Sequence, residues 1–181
     1  MGLDQYLSRK IYVGAEYEHR NVTGVIDIKV DGKPVKVNFD KVSYITESIA
    51  YWRKASSIHA YFVKYVQNGV DDCGEYDVTV EQLQELVDLC QKVLKTAVTV
   101  DGQVWNGETW TKKEGTVHNY KAGKVIVNQD EVEELLPTQE GFFFGGTDYD
   151  EWYLKDLENT INQLTPYLND KESEFVYRAS W

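Results

Sequence analysis

The sequence predicts an α+β fold: a single domain with a largely antiparallel sheet, three main helices and a β-hairpin arm. Segments that alternate apolar and polar residues stand apart from blocks with helical periodicity. Strands and helices are thus segregated rather than strictly alternating, which disfavours a doubly wound parallel sheet. The 181 residues suffice for one well-developed core and fall short of two ordinary domains.

In chain order, "LDQYLSRKIYVG" is a mixed apolar and polar run suited to an opening strand. "GVIDIKV" and "PVKVNF" both alternate, and "DGK" between them is a hairpin turn signal. From Tyr51 the period changes: Trp52, Ala55, His59, Phe62 and Val66 fall on one helical face, with Arg53, Ser57 and Lys64 away from it. Gly69 suits the end of that helix. After the short "EYDV", Thr79 and Gln82 form a capping-box pattern, and Val80, Leu83, Val87, Cys90 and Leu94 mark a buried stripe.

Residues 98–128, rich in Thr, Val, aromatics and turn pairs, read as strands and hairpins forming an arm or insertion. "QDEVEELL" should be a short helix stopped by Pro137. Thr147 or Asp148 is expected to cap a last long helix with Tyr153, Leu157, Ile161, Leu164 and Leu168 on its apolar stripe. Pro166 should stop or kink it, and "EFVYRASW" alternates like a closing strand. There is no internal repeat, low-complexity tract or linker.

The formal net charge is −11, from 30 acidic and 19 basic side chains, which argues against ordinary binding to a nucleic-acid backbone. The opening "MGLDQYLSRKIYVGAEYEHR" carries charges where a signal peptide would need an apolar core, and no apolar run approaches a membrane span. Cys73 and Cys90 lack metal-site spacing and make no disulfide framework, so a reducing cytoplasm is expected. The 13 Tyr and 5 Trp suit exposed contact surfaces as well as cores.

Two segments concentrate the functional residue types. In "YWRKASSIHAYFVKYVQNGVDDCGEY", Arg53 and Lys54 can meet phosphate or carboxylate, Arg through its planar fork and Lys as a point charge. His59 reads as a buried core residue, or as a general base if a substrate proton comes within reach. Asp71, Asp72 and Glu75 surround Gly74, a turn of hard oxygen ligands without the spacing of an EF-hand. In "LLPTQEGFFFGGTDYDEWYLKDL", Asp148, Asp150 and Glu151 at a helix start repel a phosphate, and the lysine of a P-loop is missing. A stacking surface from Phe142, Phe143, Phe144 and Trp152 is the better reading, with part of the triplet committed to the core. No nucleophile elbow, zinc helix or paired-cysteine knuckle is present.

With "MGLDQYL" at the start, "YWRKASSIHAYFV" and "NGVDDCGEY" in the middle, and "LLPTQEGFFFGGTDYDEWYLKDL" near the end, the chain resembles a group of small bacteriophage and prophage proteins that carry similar blocks in the same order. The resemblance covers roughly the first dozen residues, 51–94 and 135–164, and leaves out 98–128 and the hairpin near Asp31. It implies viral origin and action in the cytoplasm of an infected host bacterium, and brings no catalytic residue with it.

The leading expectation is a non-enzymatic phage accessory protein that counters host defence by sequestering a nucleotide-derived immune signal. Tyr51, Trp52, Arg53, Lys54, His59, Asp72, Glu75, Tyr76, Phe143 and Trp152 are its expected ligand-binding residues; no catalytic residue, metal ligand or cofactor is assigned. One alternative is an inhibitor that docks the Trp105 and Trp110 arm on a host defence protein. Another is a metal-dependent nucleotide phosphodiesterase with His59 as base and Asp72 or Glu75 holding the metal. DNA mimicry comes last, because the acidic residues are interspersed with Lys. A membrane partner is not expected, and self-association stays open.

Overall fold

Period-two burial sets the frame. The computed structural model describes residues 2–14, 24–113, 115–141 and 144–181. In β1 (Asp4–Tyr12) alternation sends Leu3, Gln5 and Leu7 inward, fully buried, and leaves Tyr6, Ser8 and Lys10 on the other face. β2 (Ile28–Val30) and β3 (Lys33–Val35) make a separate small hairpin whose turn residues, Asp31 and Gly32, have φ of 51° and 75°. Two consecutive positive φ angles are what a two-residue type I′ hairpin turn requires.

β4 (Tyr44–Arg53) pairs antiparallel with β1 from Tyr44 opposite Tyr12 to Arg53 opposite Asp4. α1 (Ser56–Tyr65), β5 (Glu75–Val78) and α2 (Val80–Thr96) follow. Next come the long hairpin of β6 (Thr99–Thr111) and β7 (Gly115–Ile126), the short α3 (Gln129–Leu135), α4 (Glu151–Leu164), a 3-10 turn and β8 (Glu174–Ser180). The main sheet has the order β4-β1-β8-β5, antiparallel throughout. This is the α+β architecture that the segregated patterning implies.

The core lies between the inner sheet face and the helices. Phe62 of α1 stacks on Tyr177 of β8 with ring centroids 3.8 Å apart, and α4 packs on α2, β4 and α1. α2 opens on the expected capping box: Thr79 Oγ1 accepts from the Gln82 amide at 3.2 Å, and Gln82 Oε1 from the Thr79 amide at 2.9 Å. Cys90 is buried on its stripe, and burial pushes the thiol up to about 12. No described helix is long and apolar enough to cross a membrane.

Two expectations change. Tyr51 to Arg53 end a strand instead of starting a helix; Ala50 and Trp52 point inward while Tyr51 and Arg53 stay exposed, the alternation of a strand. The helix begins only at Ser56, and the face carrying His59, Phe62 and Val66 survives in it. Asp150, not Thr147 or Asp148, caps α4, its Oδ1 accepting from the amides of Trp152 and Tyr153 at 2.8 and 3.3 Å. Residues 98–128 form one long hairpin, and its base is fastened to the start of α4. The Ile126 amide donates to the Tyr149 carbonyl at 3.0 Å, and Glu151 takes Lys121 Nζ at 2.8 Å and the Lys124 amide at 3.1 Å.

Candidate functional site

The turn from β4 into α1 is built around an unusual residue. Lys54 has φ +61°, a left-handed conformation that costs a side-chain-bearing residue roughly 1–2 kcal/mol. Hydrogen bonds hold it there: its amide donates to the Leu3 carbonyl at 2.8 Å, and its carbonyl accepts from the Ser56 amide at 3.0 Å. Such strain clusters at functional sites, where the surrounding structure fixes it. Gly145 (φ +99°) lies so close that a Cβ there would be 3.0 Å from that of Lys54. No side chain caps α1, and with the Ser56 amide taken by Lys54 the amides of Ser57 and Ile58 are left for solvent or a ligand.

This turn forms one wall of a cavity of about 290 Å³, with Arg53, Lys54, Ser56 and Ser57 lining it. The loop before α4 adds Thr138, Gly145 and Gly146, and α4 with its cap adds Asp150, Trp152, Tyr153 and Asp156. The third wall comes from the hairpin. The β6–β7 register shifts between Trp105 and Glu108, and Gly107 in that bulge has φ +91°. The extra residues re-aim the strand, as bulges do, and Trp105, Asn106 and Gly107 open onto the cavity. Trp152 is 41% exposed, with Lys121 Nζ 4.1 Å and Lys155 Nζ 5.4 Å from its ring centroid.

The cavity has two electrical poles. Arg53, Lys54 and the open end of α1 favour an anion. Across from them in composition stand the carboxylates of α4. Burial raises the pKa of Asp150, against the pull of the two amides it caps. Burial, with Asp150 adding to it, raises Asp156 to about 7, while Lys155 pulls it down. The Asp156 carboxylate takes part in no hydrogen bond or ion pair among the described residues. Glu151, by contrast, is held low by its bond to Lys121 and by the Lys124 amide.

A folded-state pKa above the unfolded value makes Asp156 a stability liability at neutral pH. Its protonated form contributes fully below its ordinary 3.8, and that contribution is lost as pH rises through about 7. Asp156→Asn should therefore match the parent protein near pH 4 and become progressively more stable than it toward pH 8. Urea unfolding of both proteins across that range checks the sign.

Of the expected site residues, Arg53, Lys54 and Trp152 lie in this cavity together. Trp52 does not: it is 2% exposed, and its indole N–H donates to Thr160 Oγ1 at 2.8 Å, so it is a core residue that cannot stack on a ligand. His59 is also a core residue, 0% exposed, its ring nitrogens 2.8 Å from the Tyr177 hydroxyl and 3.0 Å from Asp71 Oδ1. Burial lowers its pKa, opposed by Asp71. Sealed in this way, His59 does not reach the cavity.

The remaining expected residues sit elsewhere. Tyr51 and Glu75 lie on the sheet face turned away from the helices, Tyr51 bonding Asp4 and Glu75 lying 3.8 Å from Lys10. Asp72 closes its own turn, accepting from the Gly74 amide at 2.7 Å and the Tyr76 hydroxyl at 3.0 Å. Tyr76 is thereby tied to that turn, outside the cavity. No group of three or more His, Cys, Asp or Glu among the described residues is arranged to hold a metal. Phe142 and Phe143 lie outside the described residues, and Phe144 is buried edge-on against His59 and Trp181.

Sequence reasoning missed Trp105 as a cavity wall, and it missed Asp156. The "NG" pair at Asn106–Gly107, a turn signal inside a strand, was the available sign of a bulge. Asp156 carried none, since a carboxylate one turn after Trp152 reads as a solvated helix position. Comparison with family models, curated proteins and solved structures finds no match to this chain.

Proposed function

We propose that this protein is a non-enzymatic binding protein that captures a nucleotide-derived ligand in the cavity between the β4–α1 turn, the hairpin bulge and α4. The observation that carries the reading is that Arg53, Lys54, Trp105 and Trp152, drawn from three separate parts of the chain, open onto one hollow. The cations meet phosphate and the indoles stack on the base, each stacked base being worth about 1–3 kcal/mol in single-strand binders. Small-molecule sites usually span about 300–1,000 Å³. A hollow of about 290 Å³ lies near the lower end of that range and has room for one nucleotide unit. In an infected bacterium such capture would withdraw a nucleotide immune signal, the role suggested by the resemblance to phage and prophage proteins.

Calorimetry with mononucleotides, cyclic oligonucleotides and cyclic ADP-ribose isomers tests this, followed by recovery of the ligand. Saturable binding and intact recovered ligand are expected. Absence of binding, or recovery of a cleaved product, overturns the reading.

A second reading keeps one specific support. Trp110 and Tyr120 on the hairpin are 68% and 60% exposed, the residue types that dominate interface hot spots. Docking on a host defence protein would use them. Deleting the whole arm would also remove the Trp105 wall, so it cannot separate the two readings. Trp110→Ala with Tyr120→Ala can: it should abolish capture of a host protein while sparing nucleotide binding.

A further inference from the structure

Resting on the nucleotide reading above, we infer that Asp156 reads the base, and that the ligand class is a guanine nucleotide, whose N1–H and exocyclic amine pair with its two carboxylate oxygens.

The placement comes from α4. Trp152 and Asp156 are four residues apart, so they lie on one helix face about 6 Å apart along the axis. Both line the cavity. A base lying on the Trp152 ring thus has its edge directed at the next turn, where Asp156 stands. The other two carboxylates of the lining are differently placed. Asp150 is committed to the amides of Trp152 and Tyr153, and Asp148 is exposed to solvent. Only Asp156 of the three is half-buried with no hydrogen-bond partner among the described residues. A half-buried carboxylate that is costly to ionise and is left without a partner fits a group kept for a ligand.

An ionised carboxylate accepts hydrogen bonds and donates none. Guanine alone among the common bases sets two donors side by side on its Watson–Crick edge. Adenine and cytosine set an acceptor beside their amine, and uracil flanks its one imino donor with two carbonyls. Each of those three brings a lone pair against a carboxylate oxygen. The phosphate then lies toward Arg53 and Lys54, which supply affinity without choosing a base.

The test is calorimetric titration of the intact protein with GMP, AMP, CMP and UMP at one salt and at pH 8, where Asp156 is ionised, repeated with Asp156→Asn. One well-made bidentate pair discriminates by roughly 5- to 150-fold, and GMP should lead the other three by a factor in that range. Asparagine replaces one acceptor by a donor, which suits the amine and adjacent ring nitrogen of adenine and of cytosine. The variant should therefore lose the lead of GMP while AMP and CMP gain on it, a change of order that a structural role for Asp156 would not produce. Its thermal unfolding, recorded alongside, establishes that it is folded, and Asp156→Ala, which should bind all four alike, is the second variant. Comparable binding of all four nucleotides by the parent protein overturns base reading while the nucleotide reading stands. Binding of none overturns both.

Discussion

Trp52→Ala is expected to lower the unfolding free energy by about 3–5 kcal/mol, the range for removing a large aromatic side chain from a packed core. For a chain of this length that corresponds to a fall of roughly 6–20 °C in Tm. Trp52 is 2% exposed against Phe62, and its indole N–H is the first link of a chain: it donates to Thr160 Oγ1, which donates to the Asp156 carbonyl at 2.7 Å. Alanine removes the volume and leaves the Thr160 hydroxyl short of a donor. Thermal or urea unfolding without any ligand measures the effect. A loss below about 1 kcal/mol would mean that Trp52 is not packed as described here.

Arg53→Ala combined with Trp152→Ala should do the reverse, sparing the fold and removing the ligand. The Arg53 side chain is 63% exposed, and Asp4, 4.0 Å away, is its nearest carboxylate. Surface pairs of this kind contribute at most about 1 kcal/mol. Losing one stacked ring at about 1–3 kcal/mol and one charge-assisted hydrogen bond at about 1.5–3 kcal/mol weakens nucleotide binding by roughly 100-fold or more. Calorimetry reads the affinity and an unfolding curve checks the fold. Unchanged affinity would remove this cavity from the proposal.

Much of the architecture was legible because burial follows period. Leu3, Leu7, Phe175 and Tyr177 alternate inward, and Leu83, Val87 and Cys90 recur along one side of α2, so β1, β8 and α2 fall where the pattern puts them. β4 was hidden for a physical reason. Its first five residues, Tyr44 to Ser48, are all exposed, so half of the strand carries no inward signal. Trp52 and Ala55 are spaced as on a helix, yet a left-handed lysine separates them, and nothing local announces that conformation.

The candidate site was legible by residue type and not by place. Arg53, Lys54 and Trp152 stand out as chemistry, but their meeting depends on the tertiary packing of α4 against β4 and α1. The "DDCGEY" turn shows the converse. Its carboxylates drew attention as possible ligands, and one of them, Asp72, is spent within the turn on the Gly74 amide and the Tyr76 hydroxyl.

The sheet order has a consequence for how the chain comes into being. β8 sits between β1 and β5, with Ser180 opposite Asp4, so the two inner strands are far apart along the sequence. While a ribosome is still making this chain, β1 can meet β4 but must leave its other edge unmatched until β8 emerges. Closure is then a long-range event, the kind that slows folding. An exposed strand edge is a template for unwanted pairing during that wait. An incomplete sheet therefore persists for as long as the stretch between β4 and β8 takes to be made.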